Sequence, residues 1–214
     1  MSAPTTSAGH PAGEGLVPML RRRVDGTFEV DEWGLDPDLV ALVEPVVGLR
    51  WRVSVEGGQH VPATGPAMVV HNRRAGLSEP FVVARAVRMA TGRHVRPVGV
   101  PDVAPVGTLL RHLGGVLDQA GEVAGLLRAD QIVAVPLGRR LLSRHRAGPV
   151  PPEMVAAAAG RPAPIVPAAV IGHETGRRWR VVFGPPVERS GAPDAVAVAE
   201  VVARRVGELL AAST

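Results

Sequence analysis

The chain has 214 residues, 46% hydrophobic and 21% charged, with a formal net charge of +4. That length is enough for one domain with a substantial core, and a mild positive charge permits anionic partners without indicating nucleic acid. There is no cysteine and no tyrosine, which excludes disulfides, thiolate catalysis, Cys-based zinc sites and a tyrosine acid or base. All 24 basic residues are arginine, and Gly (25) and Pro (21) are abundant, a pattern of GC-rich coding. No single arginine is therefore a functional signal by itself.

In chain order, residues 1–15 read as a disordered leader, rich in Ser, Thr, Ala, Pro and Gly and without apolar periodicity. No signal peptide or membrane-spanning run is expected, so the expected location is cytoplasmic, with any membrane contact peripheral and at the inner face. Asp36-Pro37 opens a helix with Asp36 as cap and Pro37 in the first turn, and Pro45 is expected to kink or end it. Leu49, Trp51, Val53 and Val55 alternate with polar residues and predict a half-buried strand. Ala67 to His71 predicts a buried strand, and Ser78 is expected to cap a helix running to Thr91.

The same rhythm continues. Strands are expected at 95–100, 116–117, 131–135, 165–171 and 179–183. Helices are expected at 106–113, 121–127, 152–159 and 194–212. This alternation predicts an α/β domain over 16–214, with a central, mostly parallel sheet flanked by helices. Sites in such sheets lie beyond the carboxyl ends of the strands, so the loops after His71, Val135 and Ile171 are the places to search.

Those loops carry a resemblance. "VEGGQHVPATGPAMVVHN" (55–72), "PVGTLLRHLGGVLDQ" (105–119), "IVAVPLGRR" (132–140), "APIVPAAVIGHE" (163–174) and the 183–210 segment, in that order, resemble the PlsC-like lysophospholipid acyltransferases. "VDEWGLDPDLVALVEP" (30–45) resembles the upstream segment of some actinobacterial members. The resemblance covers about residues 30 to 210. It implies a glycerolipid acyltransferase-like fold that moves a fatty acyl group from coenzyme A or acyl carrier protein to a lysophospholipid-like hydroxyl. It implies no cofactor and no metal. Pro136, Val166 and Pro167 match structural positions of the third and fourth motifs.

The family works through Asn-His-x-x-x-x-Asp, in which the histidine is the general base and the aspartate orients it. Here "HNRRAGLSEP" (71–80) sets Arg73 at the histidine position and Ser78 at the aspartate position, and Leu137 replaces the third-motif glutamate. Arginine stays protonated and serine supplies no carboxylate, and a general base alone contributes roughly 10²–10⁴-fold. The first expectation is a degenerate homologue that binds lipid or acyl thioester without catalysis, as a binding or regulatory partner of an active paralogue. The alternative is a working acyltransferase with a displaced His71/Glu79 pair. The spacing weighs against that pair, because eight residues of helix would span about 12 Å, though a bent loop closes such a gap. The plainer readings are a packed strand-end histidine for His71 and a dipole-compensating acid for Glu79. A purely structural subunit that binds no lipid stays open as well.

Arg73, Arg74, Gly138, Arg139 and Arg140 are the candidate phosphate-binding group; Arg140 matches the family's acceptor-phosphate position, and the alternative is a set of solvated loop arginines. Arg144, His145 and Arg146 read as a solvated loop. The scattered histidines form no metal-ligand pattern. No Walker or Gly-x-Gly-x-x-Gly motif follows a strand, and aromatics are 3%, so neither nucleotide nor nucleic-acid binding is expected. The apolar face of the helix over Leu39–Val47 is core, or else a bilayer contact.

Overall fold

The computed structural model describes residues 18, 21–22, 25–26, 30–74, 76–101, 103–138, 149–159, 163–187 and 194–213. The expected leader (1–15), Arg139, Arg140 and the 144–146 segment lie outside the described residues.

The apolar runs Ala67–His71 (β2), Ile132–Pro136 (β4) and Ile165–Gly172 (β5) are buried almost throughout, as strands covered on both faces must be. They form the middle of a six-stranded sheet with Arg52–Glu56 (β1), Val95–Pro97 (β3) and Arg178–Phe183 (β6), in the order β1-β6-β5-β2-β4-β3. All neighbouring strands are parallel except the β5–β6 pair. Six α-helices among the described residues flank the sheet: Pro37–Arg50 (α1), Ser78–Thr91 (α2), Val106–His112 (α3), Ala120–Arg128 (α4), Pro152–Ala159 (α5) and Ala195–Ala211 (α6).

Strand alternation divides the core in two. Met68 and Val70 of β2 join a cluster with Leu126, Met154 and Val202, from α4, α5 and α6. Ala67 and Val69 turn to the other face and join Val82, Val83, Ala86 and Val87 of α2. The spacing of those four residues is that of one helical face, which fixes α2 against the sheet. The fold is thus the expected α/β architecture with a mostly parallel sheet. No helix among the described residues is long and apolar enough to cross a membrane.

Three local expectations are corrected. Pro45 does not end α1, which runs on to Arg50 and takes Leu49 out of the expected strand, so β1 starts at Arg52. Proline's φ suits a helix and costs it one hydrogen bond and a local clash. Packing on α2 offsets that: Glu44 pairs with Arg88 at 3.1 Å, Val47 is buried and Gly48 lies against the Arg85 guanidinium. The strand expected at 95–100 ends at Pro97, and Val98 and Val116 make only an isolated parallel bridge, because Gly99 (φ +86°) turns the chain away. Ser78 is not an N-cap: Leu77 holds that position, with no capping bond from its own side chain.

Candidate active site

Parallel pairing aligns the carboxyl ends of β2, β4 and β5. His71 lies opposite Pro136 on one side and Ala168 on the other. The chain then leaves β2 at Asn72, whose buried side chain is bonded twice to β5. Its Nδ2 donates to the Val170 carbonyl (2.9 Å), and its Oδ1 accepts from the Val170 N–H (2.7 Å). Asn72 thus stands in for the next residue pair of the ladder and pins the start of the loop to the sheet.

The loop after Asn72 folds back on itself and brings His71 and Glu79 together. His71 Nδ1 stands 3.8 Å from Glu79 Oε1, with the two residues 3% and 6% exposed. The eight-residue spacing does not keep them apart, because His71 ends a strand and Glu79 begins a helix. The same Nδ1 lies 3.2 Å from the Asn72 carbonyl oxygen, which can only accept, so the ring proton belongs on Nδ1 and the lone pair on Nε2. Burial lowers the His71 pKa below the ordinary histidine value; Glu79 and the Asn72 bond oppose that, and Arg73 adds to it. The imidazole is therefore neutral at pH 7. Glu79 Oε2 accepts from the Arg74 backbone N–H, so the carboxylate also ties down the loop that covers it.

A residue that the sequence reading did not single out secures the other end of this loop. Glu174, in the β5–β6 turn, accepts from the N–H groups of Leu77 (3.1 Å) and Ser78 (3.2 Å) and from the Ser78 hydroxyl (2.9 Å). It supplies the N-terminal cap of α2 from a distant segment, and the serine serves as donor to it. Burial disfavours the Glu174 charge, but these three donors and Arg50 outweigh burial and hold its pKa below the usual glutamate value. Gly76 is required here: its φ is +119°, and a Cβ would sit 2.2 Å from the Glu174 carboxyl. The available signal was an acid just beyond the carboxyl end of β5, in a loop already marked for search.

The remaining candidates separate. Arg73 is exposed and reaches toward Gly99 beyond β3, whereas the Arg74 guanidinium donates to the Gly172 carbonyl at the end of β5. The two point to opposite sides of β2. Gly138 donates its N–H to Pro149. Leu137 is fully buried in the core, and its N–H donates to the His71 carbonyl (2.7 Å), so the position aligned with the family's glutamate faces apolar side chains. Pro136 closes β4, and Val166 and Pro167 lie in the interior of β5, opposite Val69 and Val70.

On the opposite face of α2, a cleft opens between α1, α2, β3 and α3. Its walls are mainly apolar, including Val40, Val43, Phe81, Val100 and Leu110. Glu44, Arg85, Arg88 and His94 are its charged or titratable lining residues; His71 and Glu79 do not border it.

This arrangement is a PlsC-like acyltransferase fold. The solved structure of the 1-acyl-sn-glycerophosphate (LPA) acyltransferase PlsC from Thermotoga maritima superposes with a TM-score of 0.59 at 18% identity, covering 82% of this chain and 80% of that one. In sequence, the chain is similar to the uncharacterized proteins Rv0502 of Mycobacterium tuberculosis and Mb0514 of Mycobacterium bovis. It is 31% identical to each over 178 residues, covering 72% of this chain and 48% of theirs. The uncharacterized protein ML2427 of Mycobacterium leprae matches at 31% over 72% of this chain and 47% of its own. The chain spans about half the length of the curated relatives it matches. No protein-family model matches it.

Proposed function

We propose that this protein uses a PlsC-like fold to bind an acyl lipid, or the acyl thioester that carries one, without transferring the chain. It acts as a binding or regulatory protein beside an active acyltransferase, from the cytoplasmic side of a membrane. One observation carries the reading. The acid–histidine pair at the motif is buried under its own loop, and Asn72, Arg74 and Glu174 bond that loop down at both ends. A base must come within about 3 Å of the proton it removes, and His71 is only 3% exposed at the foot of this loop. The replacements agree: the guanidinium of Arg73 has donors and no acceptor, and Leu137 has no polar group to offer. The mainly apolar lining of the cleft on α2 suits a lipid chain.

The 3.8 Å approach of His71 to Glu79 favours a second reading, in which the loop opens during turnover. Nε2 would then take the proton of the acceptor hydroxyl as its oxygen attacks the thioester carbonyl. The carbon–sulfur bond breaks, and the departing thiolate collects the proton. An acyl-transfer assay with palmitoyl-coenzyme A and lysophosphatidate separates the two. The binding reading expects wild type and His71→Ala to be equally inert. Turnover in the wild type that falls roughly 10²-fold or more in His71→Ala overturns it and establishes the displaced pair.

A further inference from the structure

Most buried or half-buried arginines of this molecule have a carboxylate. Arg96, almost wholly buried, pairs with Asp31; Arg88 pairs with Glu44 at 3.1 Å, Arg22 with Asp38 at 3.0 Å and Arg111 with Glu122 at 3.5 Å. Arg85 differs. It lines the apolar cleft, its Nε is buried with no hydrogen-bond partner, and no ion pair reaches it among the described residues. Its guanidinium lies flat against the helix α1 backbone, within 3.1–3.2 Å of where a Cβ on Gly48 would stand. A side chain at position 48 would push it out, so the glycine makes room for the guanidinium at the cleft wall.

Arg85 is half-buried, with its Nε withdrawn from water and no carboxylate beside it among the described residues, so an anion brought to it against the apolar wall gains a charge-assisted hydrogen bond. The rest of the cleft adds to the positive side. Arg88 neutralises the one lining carboxylate, Glu44, which leaves Arg85 in excess. His94, on the same wall, has its pKa lowered by burial and then by Arg88 and Arg96, so it is not a competing cation at neutral pH.

The geometry points to a binding site for a single-chain amphiphile with an anionic head, whose chain fills the cleft between α1, α2 and α3 and whose head is paired by Arg85. The inference rests on the lipid-binding reading above and specifies the ligand: a charged fatty-acid or alkyl-phosphate head is recognised inside the cleft, away from His71 and Glu79. A chain held this way keeps its head on Arg85, on the far face of α2 from the acid–histidine pair, which suits retention of a lipid.

The test is binding of dodecanoate, dodecyl phosphate and dodecanol to the full chain below their aggregation concentrations. The variants are Arg85→Met, Arg85→Lys and Ala84→Trp, each checked for folding by its thermal transition. The expected result is that both anions bind the wild type roughly 10- to 100-fold more tightly than dodecanol. Arg85→Met removes that advantage and leaves dodecanol binding unchanged, and Arg85→Lys keeps part of it. Ala84→Trp, which fills the cleft, weakens all three. The ratio of dodecanoate to dodecyl phosphate tells a carboxylate head from a phosphate head. Equal binding of dodecanol and the anions, or an Arg85→Met variant that holds dodecanoate as the wild type does, overturns the inference and leaves the lipid-binding reading standing. Failure of all three chains to bind the wild type overturns both.

Discussion

Helix α2 separates two regions built on opposite terms. On the side of its first turn, Asn72 is bonded to Val170, Arg74 to Glu79 and Gly172, and Leu77 and Ser78 to Glu174. On the side of Pro80, Phe81, Ala84, Arg85 and Arg88, apolar walls stand apart and one guanidinium nitrogen has no partner. The first region has the residue types of acyl-transfer chemistry and is closed. The second has none of the chemistry and is open. On the proposed reading, the contrast teaches that the two jobs joined in a transferase, holding a chain and activating a hydroxyl, come apart along one helix.

The strongest way to break this contrast is to restore the carboxylate that the resemblance leads one to expect. Leu137→Glu puts an ionisable group at a position with no exposure, among Met68, Val70 and Val135. The penalty for an unpaired ion in such a place is several kcal/mol. The variant is therefore expected to lose ~3 kcal/mol or more in urea denaturation and to gain no acyl transfer. A stable variant with new activity would mean that the closed region is one adjustment away from a working site.

Asn72→Ala is the next largest. It deletes two bonds and leaves the buried N–H and C=O of Val170 without those partners, at about 1–3 kcal/mol for each unmet group. Equilibrium unfolding should show a loss of ~2–4 kcal/mol, and hydrogen exchange at Val170 and through residues 73–77 should accelerate. If exchange stays slow, Asn72 is not what holds the loop shut.

The parts that could be read from the sequence and the parts that could not differ in range. The buried strands and the sheet-facing stripe of α2 follow from apolar runs and from the spacing of Val82, Val83, Ala86 and Val87, which are local patterns. The loop did not follow. Whether His71 meets Glu79 depends on Asn72 bonding to Val170, 98 positions away, and the cap on Ser78 comes from Glu174, 96 positions away. Ser78 in first place before a helix looks like a cap by local rules, and a distant carboxylate took that role. Arg85 was hidden for another reason. In a chain whose 24 basic residues are all arginine, type carries no information, and only the missing partner marks it.

The smallest expected effect bears most directly on how the closed region stays closed. Glu174→Gln removes the charge from the cap while keeping an acceptor oxygen, so at pH 7 it should cost ~1 kcal/mol or less. The sign of its pH dependence follows from Glu174 having its folded pKa held below the ordinary value of 4.5. The unfolded chain then takes up the proton first as pH falls. The stabilisation is full above about pH 4.5 and drains away as pH drops through the lower folded value. The gap between wild type and Glu174→Gln should therefore be constant from pH 7 to pH 5 and shrink below that. A gap that persists unchanged at pH 3 would mean that the oxygen matters and the charge does not. A gap that closes would make the loop over His71 looser in acid, where its own imidazole, depressed by burial, also begins to draw a proton. Both titrations then pull the same way, so the cover over the acid–histidine pair weakens with acidity.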